Sequence, residues 1–170
     1  MSLPRHPFRI NVGFLLNQSI GYSREINFEF PQVVLAPQDA SPARPEDLLA
    51  VDDLKGTVRI SRTPQGLLFD GDFSGWVDTQ CVRCLTDAKI YLTTQFSELY
   101  AFNRRSTTDS DLILPENANV DLEWLLREYF LVEIPISPLC QPDCKGLCRI
   151  CGENLNLNLC EHGSHEEAPQ

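Results

Sequence analysis

The sequence predicts an α+β fold: an antiparallel, barrel-like β part, one amphipathic helix, and a C-terminal segment stapled by zinc. Three observations carry this expectation. Apolar and polar residues alternate through most of the first hundred positions, the signature of strands with one buried face. A three- to four-residue apolar period appears after residue 120. Five of the seven cysteines lie between Cys140 and Cys160.

The elements follow in order. Over 7–16, Phe8, Ile10, Val12 and Phe14 alternate with Arg9, Asn11 and Gly13, so a strand is expected. Residues 22–29 repeat the pattern through Ile26 and Phe28, and Asn17 to Gly21 supplies turn chemistry between them. Residues 36–47 carry Pro37, Pro42 and Pro45 without apolar periodicity, hence a loop. Gly56 to Arg62 reads as a strand with Val58 and Ile60 inward, and Thr63 to Gly66 reads as a turn. Leu67 to Thr79 reads as a strand that Gly66, Gly71 and Gly75 would twist or bulge, as at a barrel corner. Ile90, Leu92, Thr94, Phe96, Glu98 and Tyr100 share one face over 88–100. Strands at this spacing suggest a small barrel or curled sheet.

The helix is expected from Asp121 to about Glu133, on Leu122, Leu125, Leu126, Tyr129 and Val132. Asn119 or Asp121 would cap its start, and Pro135 limits its end. Trp124 and Phe130 lie off that stripe and are assigned to core packing. The organisation is then a β-rich region at 1–102, a loop at 103–118, the helix at 119–135, a zinc-knuckle segment at 136–162 and a tail at 163–170, all in one integrated domain.

Composition narrows the function classes. In 170 residues, 42% hydrophobic content suits a folded domain, and no apolar run is long enough to cross a membrane as a helix. Residues 1–10 lack the apolar core and cleavage site of a secretory signal, so a cytoplasmic protein without a membrane partner is expected. A net charge of −10 excludes a broad phosphate grip on nucleic acid.

The cysteines form Cys81-Val-Arg-Cys84, Cys140-Gln-Pro-Asp-Cys144, Cys148-Arg-Ile-Cys151-Gly152 and Cys160-Glu-His162. An odd count without a secretion signal argues against disulfides, and short gaps suit metal ligands. Seven thiolates and one imidazole are the ligand complement of two tetrahedral zinc ions. Cys148, Cys151, Cys160 and His162 read as one compact knuckle, with Asn154 to Leu157 as its connecting turn. By elimination Cys81, Cys84, Cys140 and Cys144 make the other site. Competing uses are one zinc with swapped partners and spare thiols, an iron–sulfur cluster, and thiol redox chemistry. His165 competes with His162 as last ligand, and His6 reads as an exposed histidine. No deaminase, Walker, dinucleotide or G-x-S-x-G signature is present, so no enzyme is expected.

These same residues resemble the bacterial and plastid YceD family, named for large ribosomal RNA subunit accumulation. Its C-x-R-C-L motif matches Cys81 to Leu85, its acidic helix leading to a proline matches Asp121 to Pro135, and its C-x-x-[DE]-C-K-G-L-C-x-x-C-G-x-N-L-N-x-x-x-C ending matches Cys140 to Cys160. The resemblance spans about residues 50–162, and the N-terminal strands match only in character. Members often end in C-x-C, where this chain has Cys160-Glu161-His162. Histidine is a competent zinc ligand. The resemblance implies ribosome biogenesis through accumulation of the large-subunit rRNA precursor, without catalysis. The expected partner is that RNA, or a ribosomal protein or processing factor. Arg83, Lys145 and Arg149 are the candidate RNA contacts, with Lys89, Arg104 and Arg105 nearby in sequence. Alternatively, they balance local thiolate charge and the acidic surface binds basic ribosomal proteins.

Overall fold

Alternation does become strand, and the strands run longer than the pattern alone marks. The computed structural model describes residues 7–38, 44–103, 112–158 and 160–162. Among these the strands are β1 (Arg9–Asn11), β2 (Ser23–Leu35), β3 (Leu49–Arg62), β4 (Gly66–Gln80), β5 (Asp87–Ala101) and β6 (Asn119–Asp121), followed by the helix α1 (Glu123–Glu133). The chain divides into two units, Met1–Val77 with Tyr91–Glu133, and Asp78–Ile90 with Ile134–Gln170.

In the first unit, β2, β3, β4 and β5 form an antiparallel meander in chain order, and β1 pairs only with β6. The barrel expectation is therefore corrected: the sheet stays open. Four strands are too few to close around a filled interior. Its apolar face is covered instead, by Phe8 against Phe28 and Phe30 and by Tyr129 of α1 against Phe96, with ring centroids 5.3–5.6 Å apart. The glycines serve close packing. A Cβ at Gly56 would meet the Phe73 ring at 2.2 Å, and one at Gly71 the Phe96 ring at 2.3 Å.

The bulge lies in β3, on the strand opposite Gly75. Asp52 pairs with Trp76 and Lys55 with Ser74, leaving one extra residue on β3, where Asp53 takes a φ of 48°. The buried parity switches there, from Leu49 and Val51 to Leu54, Val58 and Ile60. On β2 the switch comes at Pro31, between Phe28 and Val33. Proline lacks the N–H a central strand needs, and β2 is an edge strand.

Three local expectations change. The first strand stops at Asn11, and a 3-10 turn over Gly13–Asn17 buries Leu15 in place of Phe14, which is 37% exposed. Residues 119–121 are a strand, because Asn119 and Val120 pair with Asn11 and Ile10. The helix begins at Glu123, whose N–H donates to the Asp121 carboxylate at 3.0 Å. Its buried stripe is Leu122, Leu125, Leu126 and Phe130, whereas Val132 is 82% exposed. Trp124 is half-buried. Residues 112–114 hydrogen-bond to Ala101, and Arg104 and Arg105 in the expected loop lie outside the described residues, as do His6 and His165.

The second unit holds the tip of the β4–β5 hairpin, where Asp78 and Lys89 pair at 3.4 Å, and the chain after α1. Among the described residues that later chain consists of turns with one isolated bridge between Leu147 and Asn154, so turn hydrogen bonds and side-chain chemistry hold it without a helix or strand.

Candidate metal centres

Two C-x-x-C turns of the same geometry anchor the second unit. The Leu85 N–H donates to the Cys81 carbonyl at 2.9 Å, and the Gly152 N–H to the Cys148 carbonyl at 2.9 Å. Cys81 N–H donates to Thr86 at 2.9 Å, and Cys148 N–H to Glu153 at 2.8 Å. Each turn closes on a residue of positive φ, 57° at Leu85 and 75° at Gly152. Such a loop aims backbone N–H groups at its first sulfur, which stabilises a thiolate.

The side chains converge in two sets. The donor atoms of Cys81, Cys84, Cys140 and Cys144 all lie within 4.8 Å of one another, and so do those of Cys148, Cys151, Cys160 and His162. These are the eight residues expected from the spacing, in the expected pairing. Within the first set, Sγ of Cys81 and Cys144 are 3.7 Å apart and those of Cys84 and Cys140 are 3.6 Å apart. A tetrahedral zinc with Zn–S bonds of about 2.3 Å requires sulfurs roughly 3.8 Å apart. A disulfide requires about 2.0 Å, and all seven cysteines are free. The donor sets therefore fit zinc in number, type and spacing.

The two sets differ in setting. Cys81, Cys84 and Cys144 are buried, with Leu139 and Leu147 packed against them. In the other set only Cys148 is buried, and Cys151 and His162 are exposed. The inner set bridges 56 to 63 residues of chain, joining the hairpin tip to the segment after α1.

The electrostatics favour one ready thiolate per turn. Burial alone raises the Cys81 thiol, but N–H groups of Cys84, Cys140 and Arg83 outweigh it and bring the group down to about 6. At Cys148 the N–H groups of Cys151 and Ile150 lead, against burial, and lower it to about 6. Thr86 lowers Cys84 through its side chain and backbone. Loss of solvent, then the sulfurs of Cys84, Cys144 and Cys81, push Cys140 up to about 12. Cys160 is raised, first by Cys148. Filling either set thus releases protons from the remaining thiols.

Sequence reasoning missed the residues that hold the ligands. Asn156 donates to Cys144 Sγ at 3.2 Å while its own carbonyl accepts the Lys145 N–H at 2.8 Å. Asn154 positions Asn156 by accepting from its amide side chain at 2.9 Å and its backbone at 3.0 Å. The Thr86 hydroxyl lies 3.0 Å from Cys84 Sγ. Two asparagines inside a turn beside cysteines were the available signal, since such amides satisfy sulfur and backbone together.

The basic residues fare unequally. Arg83 donates to the Cys144 carbonyl at 2.9 Å, and its own carbonyl accepts from Leu147 at 3.1 Å, so it ties the hairpin tip to the inner set. Gly146 passes so close that a Cβ would lie 3.1 Å from the Arg83 carbonyl oxygen. Lys145 and Arg149 are exposed. Lys89 is taken up by Asp78.

Comparison with known proteins adds identity to this geometry. No solved structure matches the chain. Uncharacterized proteins of Mycobacterium tuberculosis and Mycobacterium bovis are each 30% identical over 123 residues, 68% of this chain and 59% of theirs. The chain thus spans about three-fifths of the length of these relatives. The chloroplastic large ribosomal RNA subunit accumulation protein YCED homolog 1 of Arabidopsis thaliana is 38% identical over 53 residues, 31% of this chain and 16% of that one. The family model described as large ribosomal RNA subunit accumulation protein YceD matches residues 69–170, which include every residue of both ligand sets. The chain belongs to the YceD family.

Proposed function

We propose that the chain is a zinc-binding, non-enzymatic factor in the accumulation of large-subunit ribosomal RNA, acting in ribosome biogenesis in the cytoplasm. The observation that carries this reading is the pair of four-donor sets inside the region that the family model matches. Zinc bound there supplies a cross-link and a fixed charge. Four protein donors leave no position for a reactive water, which is the arrangement of a structural site. Residues 134–162, which have no helix or strand among those described, then owe their shape to the metals, to turn hydrogen bonds, to Asn156 and to Arg83.

In this reading Lys145 and Arg149 reach RNA from the knuckle surface, and Arg83 orders the turn behind them. The test is metal content and RNA contact on the same protein. Protein kept reduced should carry about two zinc ions per chain. Lys145→Glu with Arg149→Glu should weaken association with different RNA sequences alike, and cut the log–log salt slope by roughly 0.7 per lost contact to a single strand. Iron in place of zinc sinks the metal assignment. Unchanged RNA association and unchanged rRNA accumulation in the double variant sink direct contact.

A second reading has its own observation. The net charge is −10, and Arg83 is committed to a backbone carbonyl. Two exposed basic side chains against that field favour an adaptor that binds basic ribosomal proteins without touching RNA.

A further inference from the structure

We infer that the outward face of the β2–β5 sheet, centred on Trp76 and Tyr91, docks an extended Lys- and Arg-rich segment of a partner protein. This deepens the adaptor reading and rests on it.

The face is built by alternation. Core-facing residues of β4 are Phe69, Phe73 and Val77, so Asp70, Asp72, Ser74 and Trp76 face outward. Trp76 and Tyr91 pack at a 59° tilt with centroids 5.2 Å apart and remain 40% and 53% exposed. Among the described residues of the first unit nothing buries them, although large aromatic rings are costly to leave in water. Their π faces suit an alkyl chain that ends in a cation.

Charge selects the occupant. Lys55 already bridges Asp53 at 3.0 Å and Glu29 at 3.9 Å, and Arg59 sits in register between Glu25 on β2 and Asp70 on β4. Asp72 and Asp70 are held by neutral donors instead, Gln95 and Ser97, both at 2.7 Å. Asp72, opposite Thr57, thus keeps its negative charge beside neutral neighbours, while Asp70 shares Arg59 with Glu25. The carboxylates lie on the same strand as Trp76, Asp72 roughly 13 Å away at a rise of about 3.3 Å per residue. An extended segment with one cationic side chain on the ring pair and others four to six residues further along would meet both. A four-stranded sheet with outward aromatics can also stack RNA bases, but here phosphates would face Asp70 and Asp72, which disfavours RNA.

The test uses the full zinc-loaded chain and fluorescence anisotropy with three labelled probes: a flexible peptide of Lys, Arg, Gly and Ser, its Glu/Asp counterpart, and single-stranded poly(U). The basic peptide should bind and the acidic one should not. Trp76→Ala with Tyr91→Ala should weaken it about tenfold, as the sum of two exposed cation–π contacts, with zinc content and melting temperature unchanged. Trp76→Phe should retain most of the binding, and Asp70→Asn with Asp72→Asn should flatten the salt dependence. Equal binding by the Ala pair, or poly(U) binding that the Ala pair abolishes, overturns the proposal. Pull-down from cells separates the two levels. Ribosomal proteins held by wild type and lost from the Ala pair support the surface. Ribosomal proteins held equally by both overturn the surface and leave the adaptor reading standing. RNA alone on wild type overturns both.

Discussion

The two ligand sets share one backbone device and differ in almost everything around it. Both turns give the same carbonyl and N–H pattern and lower the same cysteine of the pair to about 6. The inner set has three buried sulfurs, two supporting side chains in Thr86 and Asn156, and partners more than 50 residues apart. The outer set is contained within Cys148 to His162, with two of its four ligands exposed. A knuckle is thus a local solution to making thiolates, whereas its worth to the fold depends on what it joins. Closing a long loop removes more chain entropy than closing a short one, and burial slows loss of the metal.

The comparison breaks most visibly at the ligands. Cys84→Ser should cost the inner zinc and leave residues 134–147 largely unfolded while the outer knuckle keeps its metal, since structural zinc contributes on the order of 10 kcal/mol or more to small modules. Metal content and hydrogen exchange over 78–90 and 134–147 check this, and unchanged values in both refute the cross-chain site. Cys151→Ser should remove one zinc only and leave exchange at Cys81 to Asp87 as in wild type. Native mass spectrometry should find one zinc per chain, and a chelator should strip the wild-type outer site first.

A smaller effect is expected at Asn156. Asn156→Ala deletes the amide bonds to Cys144 Sγ and Asn154 and the carbonyl that receives Lys145 N–H. Inner-site zinc affinity should fall about 10- to 100-fold, as for other outer partners of metal ligands. Competition with a chromophoric chelator measures it. The smallest change concerns the position after each second cysteine. Leu85 holds a φ of 57° and is 55% exposed, so Leu85→Gly relieves strain without emptying a core. It should stabilise by about 0.5 kcal/mol after the added chain entropy of glycine. Gly152→Leu should destabilise by about 1 kcal/mol, because nothing but φ opposes it. Melting curves with zinc present decide both signs.

Much of the metal chemistry was legible from spacing because a C-x-x-C turn is a local structure. Two residues between thiols suffice to point both at one ion, whatever surrounds them. The inner grouping was legible by elimination alone, and swapped partners stayed open until the four sulfurs were seen to converge. Asn156, Thr86 and the role of Arg83 were not, because an amide, a hydroxyl or a guanidinium shows its partner only once distant chain is beside it. The same limit governs the strands. Alternation marked Phe8, Ile10 and Val12 correctly, but Phe14 against Leu15 was settled by a 3-10 turn.

The sequence by itself determined the α+β class, the helix, the faces of β4 and β5 and the short cysteine gaps whose side chains converge in two sets. Each is written in a repeat of two, of three to four, or in a fixed short gap, and such periods need no distant partner. Tertiary structure alone decided that the sheet stays open, that β3 bulges at Asp53, and that residues 119–121 pair with β1 before the helix starts. It also decided that Phe130 is buried while Val132 is not. Those outcomes depend on which surfaces meet, and a hydrophobic period states that a face is apolar without naming what covers it.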